Sequence, residues 1–252
     1  MKRPLLSCVI PVKGPRPYWT EALESLQVQE MGDDLEIIIQ DGDLEPDNGQ
    51  SAALNCGFAK ARGEWIFWLN ADDVLLNGAL KTVRELIETC PDVRWIAGNT
   101  LYLDAKGRVT DARWYWRWEP FLYQHLLIWT GGPSAFIHRS AIERVGGFDE
   151  NLRYTMDIDY WMRLARAGYC YRVASQPLWG FRIHAQSLTT SGANDAAVQA
   201  ERKLLEKRYN CRFPYFWRFC LRVVNLLQGA YWKAARLRRK WTGTPARAIT
   251  FP

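Results

Sequence analysis

Apolar and polar positions along the chain switch between two periods, one that suits strands and one that suits helices. Leu5 to Val12 is a short apolar run, and Pro11, Gly14, Pro15 and Pro17 punctuate its end. It predicts a buried first strand followed by a turn. Trp19 to Gln29 places Trp19, Ala22, Leu23 and Leu26 on one helical face. Leu35 to Ile39 predicts a second strand, with Gln40-Asp41-Gly42 at its C-terminal end. A strand–helix–strand order implies a parallel pair joined by a right-handed crossover. Asp47-Asn48-Gly49 reads as a turn, and Ser51 to Lys60 as a helix with Leu54, Phe58 and Ala61 on its apolar face. Glu64 to Leu69 is apolar and aromatic throughout, as a strand buried on both faces should be.

The second half continues the alternation. A helix from Leu80 stops at Cys90-Pro91, since the residue before proline leaves the helical region. Val93 to Leu103 and Arg108 to Trp116 predict two strands joined by the turn at Asp104 to Gly107. Phe121 to Trp129 predicts a helix, Ala135 to His138 a short strand, and Ser140 onwards a helix ended by Gly146-Gly147. Around Asp157, the residues Ile158, Trp161, Met162 and Ala165 share a helical face. Tyr169 to Val173 predicts a strand, and Trp179 to Ser191 a loop carrying His184.

Composition changes this picture in one place. At 252 residues with 48% hydrophobic and 24% charged side chains the values are globular, and 13 tryptophans are unusual. The net charge of +6 is unevenly placed: residues 1–200 hold 20 basic and 25 acidic side chains, and residues 201–252 hold 13 and 2. From Phe213 to Lys240, Arg218, Arg222, Asn225, Lys233, Arg236 and Lys240 share one helical face. Phe216, Cys220, Val223, Leu227, Tyr231 and Ala234 share the other. Such a helix suits an anionic membrane surface, or equally a helix packed on the main domain with its basic face in water. The six cysteines show no metal-ligand spacing and predict buried thiols in a reducing compartment. The N-terminal apolar run is too short for a signal peptide, and no stretch reaches the length of a membrane span. The expected location is cytoplasmic, peripheral at the inner face of the cell membrane.

The chemistry concentrates at Ala61 to Asp73, ARGEWIFWLNADD. A buried strand there ends in Asp72-Asp73. Ligands of open α/β sheets bind outside the C-terminal strand ends, and adjacent carboxylates suit a hard divalent cation that holds a phosphate. Asp73 could instead cap the helix that follows. Asp41 falls on the same sheet edge, although an Asp-Gly pair alone is ordinarily a turn. Asp157 lies near a helix start and could be its cap, and Asp159 with Arg163 forms an i, i+4 ion pair. Arg113 to Trp118, RWYWRW, reads as a platform of aromatic and cationic side chains beside the site.

Together SCVIPVKG, IIIQDG, DNGQSAALNCGFAKARGEWIFWLNADD, GGFDENL, MDIDYWMRLA and FRIHAQS resemble an inverting glycosyltransferase of family 2, over roughly residues 5–190. The resemblance implies a GT-A fold, a Rossmann-like and mostly parallel sheet flanked by helices. Residues 1–192 would form the catalytic domain, with a donor-binding half 1–103 and an acceptor half 104–192, and residues 193–252 a basic helical tail. It further implies that Pro11 and Asp41 contact the nucleobase of a nucleoside-diphosphate sugar and that Asp72 faces the ribose. Asp73 would ligate Mg²⁺ or Mn²⁺ with His184 in the segment closing over the diphosphate, and Asp157 would be the catalytic base. The acceptor would be a glycan or lipid-linked hydroxyl of bacterial polysaccharide type. The chemistry is consistent: a cation offsets charge on the leaving diphosphate, and a carboxylate on another segment takes the acceptor's proton.

Two departures stand out. The family's Glu-Asp pair is Met156-Asp157 here. Only Asp43 to Pro46 lies where the family carries a helix and an edge strand, which predicts an exposed strand edge and a thinner nucleobase pocket. Two other readings compete: a nucleotidyltransferase, for which Val12 to Arg16 is a feeble phosphate loop, and a membrane-associated binding protein whose donor site is disabled. Nucleic-acid binding through the basic tail is not expected.

Overall fold

The computed structural model describes residues 3–45, 47–115, 132–187, 195–210, 219, 223, 226 and 230–250. Eight strands form one sheet. They are β1 (Leu6–Val12), β2 (Leu35–Asp41), β3 (Trp65–Trp68), β4 (Val74–Leu75), β5 (Trp95–Leu103), β6 (Val109–Arg113), β7 (Ala135–His138) and β8 (Tyr171–Arg182). Their order is β2-β1-β3-β7-β5-β8-β4, with β6 paired to β5. The helices are α1 (Trp19–Gln27), α2 (Gln50–Lys60), α3 (Ala79–Thr89), α4 (Arg139–Val145), α5 (Met156–Arg166), α6 (Asp195–Arg208) and α7 (Ala230–Trp241).

The parallel order expected for the sheet holds for β1, β2 and β3 and recurs between β5 and β8. Elsewhere the sheet is mixed, because β7 enters antiparallel between β3 and β5, and β4 and β6 are antiparallel additions. Alternate side chains of the central strands feed two separate cores. Val9, Ile66 and Trp68 face α2 and α5, while Cys8, Ile10 and Phe67 face α1 and α3. The tryptophans find their use in the first core, where Trp161 of α5 stacks on Trp95 and Trp68 with ring centroids 5.0 and 6.0 Å away. Gly57 lets α2 lie against β1, since a Cβ there would fall 2.2 Å from Val9.

Two expectations change, and a third is narrowed. The loop expected from Trp179 is strand as far as Arg182. Pro177 interrupts the apolar pattern, but it sits where the β5–β8 register shifts, a place where a ladder tolerates proline. The described segments after residue 192 pack on the main domain, one of the two readings open for the tail. Leu205 and Tyr209 are buried in the first core, and Trp241, Ala246 and Ile249 pack with Leu101, Leu103 and Val109. Of the four described cysteines only Cys8 is buried, and Cys170 is exposed. The helix expected at Phe121 to Trp129, the second half of RWYWRW and most of Phe213 to Gly229 lie outside the described residues.

With no further unit after β2, that strand is the sheet's edge. Ile37 and Ile39 are 38% and 48% exposed along it. No described helix is long and apolar enough to cross a membrane.

Candidate active site

The C-terminal ends of β1, β3 and β8 converge on a cleft of about 540 Å³. Pro11, Arg16, Tyr18, Gln50, Asp72 and His184 are among the residues that line it. Asp72 follows β3 and His184 follows β8. The Nε2 atom of His184 lies 3.0 Å from Oδ2 of Asp72, whose side chain is 33% exposed. Residues 112 apart in the chain thus meet because both strands end at the same rim.

Asp73 is placed otherwise. It is 0% exposed, and it does not line the cleft. One of its oxygens accepts the Arg182 backbone N–H at 2.9 Å, and the other accepts the Asn70 side-chain amide at 2.9 Å. Burial, then the neighbouring Asp72 charge, hold its carboxyl well above the usual carboxylate range. The expectation gave the metal to Asp73 and the ribose to Asp72; in the structure Asp72 faces the cleft and Asp73 is turned away from it. Successive residues point to opposite sides, and the sequence leaves open which side is the cleft.

Arg182 was not expected to matter, and it organises this corner. It is buried, and its Nε donates to the Asp72 carbonyl at 2.8 Å while its backbone holds Asp73. Its guanidinium bonds Glu21 of α1 and lies 4.5 Å from the Tyr18 ring centroid. Tyr18 in turn packs on His184 with centroids 4.9 Å apart. A fully buried arginine runs against ordinary burial preference, and only its long-range partners explain it.

At the nucleobase end, Asp41 is engaged within the chain. Arg16 donates to both its oxygens at 2.8 Å and to Asp43 at 3.1 Å. Hydrogen bonding to Arg16 lowers the Asp41 pKa and raises that of Arg16. Arg16 lines the cleft and Asp41 does not. The loop after β1 therefore presents a guanidinium, backed by the carboxylates of Asp41 and Asp43, where an open carboxylate was expected. Gly14, in the feeble phosphate loop, gives its N–H to Asp43 at 2.9 Å.

Asp157 sits in the first turn of α5 and is half-buried. A Cβ on Gly132 would fall 3.5 Å from its Oδ2 and 2.8 Å from the Trp68 ring, so this carboxylate lies beside the end of β3. Burial pushes its carboxyl up to about 6, against the Ile158 N–H at 2.8 Å and the more distant charge of Arg202, which both pull it down. The start of α2 bridges the two carboxylate regions: Gln50 donates to Asn70 at 2.9 Å, and Ser51 Oγ donates to Met156 Sδ at 2.9 Å. Met156, which replaces an acidic residue of the family pattern, therefore serves packing. Glu201 of α6 accepts the N–H groups of Arg153, Tyr154 and Thr155, each at 2.9 Å, and so holds the entry to α5.

The pairing expected between Asp159 and Arg163 is present at 2.8 Å. Asp159 is only 1% exposed and also binds Arg208 at 2.7 Å and Tyr209 Oη at 2.6 Å. Within RWYWRW, Tyr115 is buried, with its backbone N–H on Asn99, while Arg113 is exposed.

The sequence model described as glycosyl transferase family group 2 matches residues 65–247. An uncharacterised glycosyltransferase of Rickettsia prowazekii is 26% identical over 217 residues, which cover 76% of this chain and 68% of that one. The O-antigen biosynthesis protein RfbC of Myxococcus xanthus is 25% identical over 79% of this chain and 17% of its own length. Among solved structures, S. aureus TarS 1–349 in complex with UDP-GlcNAc superposes with a TM-score of 0.58 at 16% identity, covering 74% of this chain and 61% of that one. The mannosyltransferase PcManGT from Pyrobaculum calidifontis, in complex with GDP-Man and Mn²⁺, gives 0.52 at 19% identity and covers 74% and 59%. The chain thus spans about three fifths of these two solved chains, and the likeness to them is one of fold, the GT-A glycosyltransferase fold.

Proposed function

The chain belongs to glycosyl transferase family group 2, and we propose on that premise that it transfers a sugar from a nucleoside-diphosphate donor to an acceptor hydroxyl, with inversion at the anomeric carbon. The acceptor is a glycan or a lipid-linked sugar of polysaccharide assembly. The observation that carries this reading is the Asp72–His184 pair at the cleft rim, with a separate carboxylate of raised pKa, Asp157, beside the same strand end.

Asp72 and His184, rather than Asp73, hold Mg²⁺ or Mn²⁺ in this reading. Among the described residues no third His, Cys, Asp or Glu joins them. Two protein donors still fit the group, because such cations commonly complete their shell with substrate phosphates and water. When bound, the cation offsets charge on the leaving diphosphate. The chain's own residues do the rest. Pro11 and Arg16 contact the nucleobase, and Arg16 offers N–H donors where a free Asp41 would have offered an acceptor. Tyr18 and Arg182 fix His184 and the Asp72 backbone. Asp157 accepts the acceptor hydroxyl's proton on Oδ2, the oxygen that Ile158 does not occupy. A carboxyl near 6 is ionised at neutral pH and is a stronger base than an ordinary aspartate.

The protein works at an anionic membrane surface in this proposal. Lys233, Arg236 and Lys240 of α7 are exposed while Trp241 packs inward. Salt-sensitive co-sedimentation with phosphatidylglycerol vesicles, and none with neutral ones, is the expected result. Nucleotidyl transfer is less favoured, because the Gly14 N–H that a phosphate loop would offer is turned onto Asp43. The test of the main reading is a panel of nucleoside-diphosphate sugars with Mn²⁺. Nucleoside diphosphate should be released from one donor class, stop with EDTA and return with added Mn²⁺. Pyrophosphate release from a nucleoside triphosphate and a sugar phosphate would overturn it.

A further inference from the structure

A second and larger groove, of about 900 Å³, runs between β6 and α7. Tyr102, Asp111 and Arg113 form one wall, and Arg238 and Arg239 the other. Arg238 and Arg239 of α7 thus lie across the groove from Asp111. Asp111 is 3.8 Å from Arg238, and both side chains are more than half exposed, so this pair is loose. Arg239 has no ion-pair partner among the described residues. Arg113 lies 5.7 Å from the centroid of the Tyr102 ring. Like charges gathered in a concavity repel one another, and an anion placed among them relieves that repulsion.

The groove is next to the donor cleft along the chain at the end of β8. Ile183 lines it, while Phe181 and His184 on either side in sequence line the donor cleft. From Arg113 the chain reaches Tyr115 in two residues. Burial chiefly raises the Tyr115 pKa, and the Asp157 charge is among the smaller contributions in the same direction. The groove therefore neighbours the candidate metal pair at the end of β8.

We propose that this groove binds a phosphate group carried by the acceptor, and hence that the acceptor is a phosphate-bearing glycan. Arginine is the residue whose planar fork matches phosphate oxygens, and Tyr102 supplies an aromatic surface for the adjoining sugar. The proposal rests on the glycosyl-transfer reading, since it names that reaction's second substrate.

The test uses the full chain in EDTA, so that metal-dependent donor binding is silent, with inorganic pyrophosphate as the probe in titration calorimetry. The wild type should bind it. An Arg238→Gln/Arg239→Gln variant should lose at least about tenfold in affinity, the scale of one charge-assisted hydrogen bond. Asp72→Asn should bind as the wild type does, and the double arginine variant should keep Mn²⁺-dependent binding of nucleoside diphosphate. No binding by the wild type, equal binding by the double variant, or tighter binding of galacturonate than of pyrophosphate would overturn the phosphate assignment. Loss of nucleoside diphosphate binding in the wild type, with pyrophosphate binding intact, would instead sink the donor reading alone.

Discussion

Two pairs of aspartates, Asp72 with Asp73 after β3 and Asp157 with Asp159 in α5, use the same device with different partners. In each pair one carboxylate is buried and anchored, and the other is left toward the site. Asp73 is anchored by uncharged N–H donors alone. Asp159 is anchored by two guanidinium groups and a phenol. The first anchor carries a carboxyl with a raised pKa and ties a loop to β8. The second is an ion network that ties α6 to α5. In each case the anchor fixes the carboxylate proposed to act at the site, and the strength of the anchor sets how much stability it carries.

The comparison can be broken by substitution. The largest expected effect is on turnover. Asp157→Asn should lower it by on the order of 10²–10⁴, the usual scale for a general base, with donor binding kept. The same variant should melt higher than the wild type at pH 8. A carboxyl whose folded pKa is raised to about 6 adds stability below its unfolded value and loses it as pH rises through 6. A lowered melting temperature at pH 8 would mean that the charge is structural.

Next comes Asp159→Asn. Breaking a buried ion pair by removing one partner costs on the order of 3–5 kcal/mol, so denaturant unfolding should show a loss of that size. Residual folded enzyme should keep its turnover. Loss of turnover in a well-folded Asp159→Asn protein would exchange the roles of the two residues.

A smaller effect is expected in the pH profile. With Asp157 as base, kcat/KM should fall about tenfold per pH unit below roughly pH 6. Arg202 of α6 pulls that pKa down, so Arg202→Gln should move the acidic limb to higher pH. An unmoved limb would separate α6 from the chemistry.

Much of the fold was legible because strands and helices repeat with clear periods. β1, β2, β3 and α2 fall within a few residues of their expected bounds. The exposed edge at β2 also followed from a short segment after Asp41. What was not legible depends on distance. The middle of β8 carries Ser175, Gln176 and Pro177, which break its apolar pattern, and pairing with β5 and β4 carries the strand past them. Glu201 holds the start of α5 across 46 to 48 residues, and no local pattern announces that. The roles of Asp72 and Asp73 depend on which side of one turn faces the cleft, and Arg182 decides it from 110 residues away.

The central claim, that Asp72 and not Asp73 serves the metal side of the site, is tested by melting three proteins with nucleoside diphosphate, with and without Mn²⁺. Specific binding raises the melting temperature by mass action. The wild type should show an Mn²⁺-dependent increment. Asp73→Asn should melt lower yet keep the increment, and Asp72→Asn should melt near the wild type and lose it. An increment that survives in Asp72→Asn and vanishes in a folded Asp73→Asn would contradict the account.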